Sequence, residues 1–521
     1  MAGNNIILVF YPIICIMTVK KEINIYLNKR RTDIIYSLLA LGLSITYWVL
    51  FKQFYSNPNL NFDSYYYTYA AAFDHDVSAW PIGYSKFIRF IGFFTRSANF
   101  LVAIQYFFLQ SCLLYFFLSI RYFFYLKNYS EIILFIFLFL NPIYIFTSNL
   151  VLSDTIFLGL SLVWFVNLLW IIYRPSALLL FAQALLLFLT FTIRNSALFY
   201  PLIGLIVILI SRSSIVLKII GVTVPTLLIG CFILFSINRN HQIYGINQFS
   251  PFQGWKLASN ALYAYEHVPS SKVITVPKRF IQLDGIVHQY FSSPHEHVMV
   301  QNEDPSSGSF YMFNYPSPLL IYRDRTLGSD GRFLMNFNTL SKLGPLYADY
   351  GSFIIRNYPI TFVRYFVLPN ATTYFSPYPE VYNDTTIFHP FYYDTLKNVA
   401  MNWYKGLDLK TSSKAIQYRT RLFTRYPLVN YYTHFIFIIV FVAFFVLKGP
   451  EKIGNTQKIF IYFIGIFWLI NFLFMVVSTT SLLRYQLFIT IIEFILLLIC
   501  LEYIFNDNKN RYPLSQRLFK E

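Results

Sequence analysis

Charge is scarce in this chain. Asp, Glu, Lys and Arg make up 12% of its 521 residues, about half the share usual in soluble domains. Acid is scarcer than base: 24 carboxylates stand against 41 Lys and Arg, a net charge of +17. There are 4 cysteines, Cys15, Cys112, Cys231 and Cys500, each inside an apolar run. That excludes a disulfide framework and a thiolate metal site. No helical His-x-x-x-His occurs, so no zinc site of that kind is expected. No internal repeat is visible, which counts against an inverted-repeat transporter. The first apolar run, 5–19, lacks a small-residue cleavage site and does not read as a removed signal peptide.

What is abundant is apolar and aromatic: 56% hydrophobic, 21% Phe, Trp and Tyr, mean hydropathy +0.50. A span needs about 20 apolar residues, with roughly 17 to 25 tolerated. Runs of that kind fall near 33–52, 98–119, 131–148, 155–173, 177–193, 197–211, 215–237, 433–448, 459–477 and 485–503, with 5–19 as an eleventh candidate. Some are short, and 177–211 also reads as one bent hairpin. The expectation is an all-α polytopic membrane protein of about 10–11 spans.

The excess of base then has a simple cause. Lys20, Lys21, Lys29, Arg30, Arg31, Arg121, Lys127, Arg174, Arg212, Lys448, Lys452, Lys458 and the 509–521 tail alternate with the spans, so a single orientation puts all of them in the cytoplasm. Such clusters suit anionic lipid headgroups, and no nucleic-acid partner is expected. The same orientation puts 53–97 and 238–432 on the outer face. Three regions follow: a transmembrane module, 1–237, that includes the outer loop 53–97; an extracytoplasmic cap, 238–432; and C-terminal helices with a tail, 433–521.

Within the cap, 254–268 has helical apolar spacing, 344–370 reads as one or two amphipathic helices that could lie on the membrane, and 285–330 reads as irregular loop. In the first outer loop a helix is expected from Tyr65. A second, amphipathic one at headgroup level is expected over Tyr84–Arg96, after the break at Trp80-Pro81.

Polar residues at outer helix ends are the candidates for chemistry. Asp63 opens an expected helix next to a crowd of tyrosines, and Asp154 opens a span; either also suits a helix N-cap. Arg194 and Arg484 break the charge trend of outer turns, and an arginine there is costly if it faces lipid, although snorkelling to headgroups would satisfy it. Lys86 and Arg89 lie on the amphipathic helix of the first loop. Tyr65, Tyr66 and Tyr84 suit either sugar contact or an interfacial aromatic belt. His75 between Asp74 and Asp76 is one histidine in a loop, and we expect no metal and no other cofactor.

Four stretches resemble a known family: Asp63 with "WPIGYSKFIRFIG" (80–92) in place of "PPGYP", "SDTIFLGLSLVW" (153–164), "LTFTIRNSALFYPLIGLIV" (189–207) and "RYQLFITIIEFILLL" (484–498). Together they look like the GT-C superfamily of polyprenol-phosphate-sugar-dependent glycosyltransferases, nearest to its protein O-mannosyltransferase and lipid A aminoarabinose transferase branch. Ile82 and Ser85 stand where the pattern has prolines, and the last motif lacks its proline. The resemblance implies a GT-C-type bundle and sugar transfer with inversion, outside a bacterial plasma membrane. A lipid-phosphate donor fits the residues on its own terms. The phosphate leaves as an anion, so the site needs cationic donors, for which Lys86, Arg89, Arg194 and Arg484 are candidates. The acceptor hydroxyl needs a base, for which Asp63 is the candidate, with Asp154 as its helper. The acceptor is open: glycan, lipid or protein. The alternatives are a lipid-linked glycan polymerase or ligase, and a lipid-linked sugar transporter or flippase. The last should place ionisable groups inside the bilayer, whereas the candidates above sit at helix ends.

Overall fold

The computed structural model describes residues 31–292, 310–313, 317–328, 337–377, 390–407, 413–478 and 481–505. The run 5–19 lies outside them. Among the described residues, eight helical segments are long and apolar enough to cross a membrane, and two shorter apolar helices accompany them. The chain is an all-α polytopic membrane protein.

The bundle begins with α1 (Arg31–Phe54). The first loop carries α2 (Phe62–Ala72) and α3 (Gly83–Phe94), followed by α4 (Ala98–Phe123). The fourth run is one span in two pieces, α5 (Asn128–Phe139) and α6 (Pro142–Ser148). Pro142 supplies no backbone N–H, and the Asn141 side chain caps the new start by accepting from Ile143 N. Next come α7 (Asp154–Tyr173), α8 (Ala177–Ile193), α9 (Tyr200–Ile210) and α10 (Ile215–Tyr244). Serines begin several of these helices: Ser97, Ser176 and Ser214 each accept from the backbone three residues on. Gly245, at φ 72°, ends α10 in the left-handed region.

The cap is helical too: α11 (Pro251–Tyr265), α12 (Ile281–Ser292), α13 (Pro318–Leu327) and α14 (Phe337–Asn357). After Pro359–Phe362 and a π turn come α15 (Leu368–Phe375) and α16 (Pro390–Trp403). The stretch 285–330 is therefore not all irregular. Leu283, Ile286 and Val287 of α12 and Leu319 and Leu320 of α13 join the cap core, a periodicity hidden by the polar residues around it. One face of α14 packs along α11, burying Tyr347, Tyr350 and Ile354 completely. Glycine permits the crossing, because a Cβ at Gly254 would stand 2.0 Å from the Gly344 carbonyl oxygen.

The chain closes with α17 (Ser413–Val446), α18 (Asn455–Ser478) and α19 (Leu483–Phe505). With 34 residues, α17 is about 50 Å long and overshoots a hydrocarbon core of about 30 Å. Hence it starts twenty residues before the apolar run at 433.

Burial separates the helices. The apolar window of α7 is 83% buried and that of α19 is 72%, against 17% for α1. The first two are enclosed by protein and α1 faces lipid. At the heart of the bundle, Trp164 stacks on Tyr200 with ring centroids 4.0 Å apart.

Contacts at the helix ends establish the alternation. At one end, Arg121 pairs with Asp33 and with Glu131 at 3.0 Å, Lys127 N donates to Glu502 at 3.1 Å, and Lys452 donates to the Ile504 carbonyl at 3.3 Å. At the other, Lys52 donates to Asn99 at 2.7 Å and Asn149 at 2.8 Å, and Asn260 donates to the Ser478 carbonyl at 3.2 Å. The basic loops gather at the first end, and the cap and first loop at the second.

Candidate functional site

An isolated parallel bridge at the cap end decides where Asp63 goes. Asn59 N donates to Asn149 O at 2.9 Å, and Val151 N donates to Asn59 O at 3.1 Å. Two chain segments about ninety residues apart are thereby clipped side by side, each just ahead of a helix start. Gln105 fixes the second segment by donating to the Ser148 and Leu150 carbonyls, both at 3.0 Å. The Tyr67 hydroxyl meets Ser153 Oγ at 3.0 Å and ties α2 to the start of α7. Asp63, on the first turn of α2, and Asp154, first residue of α7, thus face the same space.

Neither aspartate caps its helix. Asn61 is the N-cap of α2: its side chain accepts from Ser64 N, and Ser64 Oγ accepts from Asn61 N. Ser153 precedes Asp154 at the cap position. Both carboxylates instead receive arginines. Arg194, at the end of α8, donates to Asp154. Arg484, second residue of α19, donates to Asp63 at 3.2 Å and reaches Asp154 at 3.7 Å. Tyr485 lies against both guanidinium groups, at 4.6 Å from Arg194 and 5.2 Å from Arg484.

Burial splits the two carboxylates by role. The Asp154 side chain is 3% exposed and bracketed by two cations, while that of Asp63 is 17% exposed. A buried charge needs its partners. Asp154 therefore holds the arginines, and Asp63 is the carboxylate a ligand can reach.

Both border a cavity of about 560 Å³, within the size range of small-molecule sites. One wall is polar, with Asp63, Asp154, Arg194, Arg484 and Lys256. Leu198, Leu257, Phe474 and Val477 add apolar surface to the lining. A recess of about 30 Å³ runs on into the bundle between Asp154, Arg194, Asn471 and Tyr485, room for a water or two at about 10–15 Å³ each.

Lys256 is a cation that the sequence did not single out. It stands half-buried on α11 beside the cavity, and desolvation brings its ammonium down to about 8. With both aspartates charged, the three cations leave the lining one positive charge in excess, so an added anion balances it.

Other sequence candidates lie elsewhere. Lys86 pairs with Asp74 at 2.8 Å and Asp76 at 3.4 Å, and Arg89 with Asp74 at 3.1 Å. Arg239 joins the same cluster, 2.6 Å from Asp76. That cluster lines no part of the cavity; the local acids of "FDHD" draw these two cations away. Tyr65, Tyr66 and Tyr84 are packed in the core, and Tyr84 donates to Gln105. The tyrosines at the cavity are Tyr67 and Tyr485, with Trp80 beside them. Among the described residues, no group of three or more His, Cys, Asp or Glu is placed to hold a metal ion.

A second polar feature lies inside the bilayer, contrary to the expectation that charge sits at helix ends. Glu493, midway along α19, meets His434 of α17 at 2.5 Å, and both side chains are fully buried.

Comparison with protein-family models, with curated proteins and with solved structures finds no match to this chain. What fold and site define is a membrane-embedded helical bundle with a charged, cap-covered cavity at one end.

Proposed function

We propose that the chain is a membrane glycosyltransferase, which moves a sugar from a polyprenyl-phosphate donor to an acceptor hydroxyl on the extracytoplasmic face. The observation that carries this reading is the accessible Asp63 carboxylate in the same cavity as Arg194, Arg484 and Lys256, with apolar side chains completing the lining. The outer placement rests on the gathering of short-loop lysines and arginines at the far end of the bundle.

The chemistry runs as a single displacement. The lipid phosphate departs as an anion and is received by the cations; Arg offers forked donors and Lys a point charge. Asp63 accepts the proton of the acceptor hydroxyl as its oxygen attacks the anomeric carbon. One displacement inverts that carbon. The phosphate binds by competing with carboxylates for guanidinium donors, so binding loosens the Arg484–Asp63 pair and makes Asp63 a better base. The prenyl chain follows the apolar side chains toward the lipid. The resemblance to the GT-C superfamily supports the same reaction, and the acceptor stays open.

The test is to purify the protein, identify co-purifying lipid-linked sugar by mass spectrometry, and follow its turnover. Release of polyprenyl phosphate with transfer of the sugar is expected. Bound lipid-linked sugar that is carried across a vesicle bilayer intact would replace this reading with a transporter. The buried Glu493–His434 pair favours that second reading, because intramembrane ionisable residues commonly serve transport.

A further inference from the structure

Glu493 lies ten residues from Leu483 and twelve from Phe505, about 15 Å from either end of α19 and so near the midplane of a core about 30 Å thick. One carboxylate oxygen accepts from Trp468 Nε1 of α18. The other stands 2.5 Å from His434 Nδ1. That contact is close but not aligned as a hydrogen bond: neither this oxygen nor either imidazole nitrogen, Nδ1 or Nε2, has a hydrogen-bond partner.

Two buried amides extend the polar surface toward the candidate site. Asn430, one turn before His434 on α17, is fully buried with both amide atoms unpartnered. Gln486, two turns before Glu493 on α19, is likewise fully buried and unpartnered at both atoms. The two helices pack together and both start at the cap end, so these groups share one seam. Gln486 lies two residues after Arg484. Polar groups buried without partners are rare, and each calls for an explanation such as bridging water.

We propose that Glu493 and His434 form a proton-binding site in the bilayer, reached from the cap end along the Gln486–Asn430 seam. A proton enters at His434 Nε2 while the imidazole turns to align Nδ1 with the carboxylate oxygen 2.5 Å away and passes it the Nδ1 proton. Imidazole ends neutral, the carboxylate ends as a carboxylic acid, and the pair gains one proton in all. The amides carry no proton themselves; they hold the water that does. Trp468 keeps the second carboxylate oxygen fixed. Among the described residues, the other titratable group facing the pair is Tyr374 of α15, its ring 5.2 Å from His434 and its hydroxyl donating to Asn471 at 3.0 Å. From α18 the facing groups are Trp468 and Asn471, which do not titrate. This site does not depend on the reaction proposed above.

Two measurements test it. In wild-type protein in lipid, a membrane-soluble carbodiimide, which reacts with protonated carboxyls, should modify Glu493, found by peptide mass spectrometry. The yield should rise as pH falls. Absence of modification at every pH, or a yield indifferent to pH, makes the pair a static ion pair and overturns the proposal. Next, a carboxylic-acid infrared band that disappears in Glu493→Gln reports exchange after a pH jump. Closing the seam with Asn430→Leu and Gln486→Leu, both suited to a membrane interior, should slow that exchange about tenfold, the effect of losing one bridged hydrogen bond. An unchanged rate would show that the proton does not travel along the seam and overturn the route.

Discussion

Arg484 donates to Asp63 at 3.2 Å across 421 positions of sequence. That bond joins the last span to the first loop, and the same arginine reaches Asp154 at 3.7 Å. Three elements therefore meet through one guanidinium, at the edge of the cavity.

Asp63→Asn should abolish chemistry and spare the fold. Asn61 is the cap of α2, so neither Asn nor Ala at position 63 removes a capping bond. General-base catalysis is worth about a hundredfold to ten-thousandfold, and single-turnover sugar transfer should fall by that order while donor binding persists. Asn61→Ala should do the reverse, lowering stability by about 1 kcal/mol with the chemical step intact. Wild-type turnover by Asp63→Asn would remove the centre of the mechanism.

The two arginines should differ. Arg484→Ala should weaken donor use by about 1.5–3 kcal/mol if it gives up one charged hydrogen bond, seen as a higher KM or Kd for the donor. Arg194→Ala also takes the nearer of two cations from the nearly buried Asp154 and leaves Arg484 at 3.7 Å, so the cost should stay below the about 3–5 kcal/mol of a fully orphaned buried charge. A loss of thermal stability should accompany its loss of binding, and Asp154→Asn in the same chain should recover part of the stability. Arg174→Ala, at the far end of the bundle, is the control; equal effects at all three positions would make the arginines structural only.

Lys256 sets a pH window. Its ammonium is held down to about 8 by burial, against about 10.4 unfolded. Attraction for an anionic donor should therefore fade as pH rises through about 8, and a bound phosphate should shift that loss upward. For stability the sign is opposite. Between the two values the unfolded chain holds more protons, so this residue's contribution improves with rising pH, and the burial penalty is full below about 8. Donor affinity measured against pH should fall in wild type and stay flat in Lys256→Met.

Topology is testable by cysteine labelling. Ser271 is exposed in the cap and Asn455 is exposed at the basic end. An impermeant thiol reagent added to intact cells should modify Ser271→Cys and leave Asn455→Cys untouched. The opposite pattern would put the cavity in the cytoplasm and end the extracytoplasmic reading.

Much of this architecture is legible in the sequence. The apolar helices could be read because hydropathy is a local property of the chain, although among the described residues eight rather than ten of them are long enough to cross a bilayer. Alternation followed from where the short-loop lysines and arginines fall. Asp63, Asp154, Arg194 and Arg484 stood out as charges at helix ends of one side, where hydropathy makes a charge conspicuous. The partner of each charge was not legible. Lys86 and Arg89 looked as suitable for phosphate as Arg194, and only the packing of α3 against the 73–76 turn commits them to Asp74 and Asp76. Lys256 sits in an unremarkable amphipathic helix and meets the cavity because glycine contacts let α11 and α14 cross closely. Glu493 is one acid within an apolar run, and it acquires a partner when α17 lies beside α19. Span length and charge bias are summed along the chain, so sequence alone determines them. Ion pairing falls off within a few ångströms, so it waits on which helices the tertiary fold brings together.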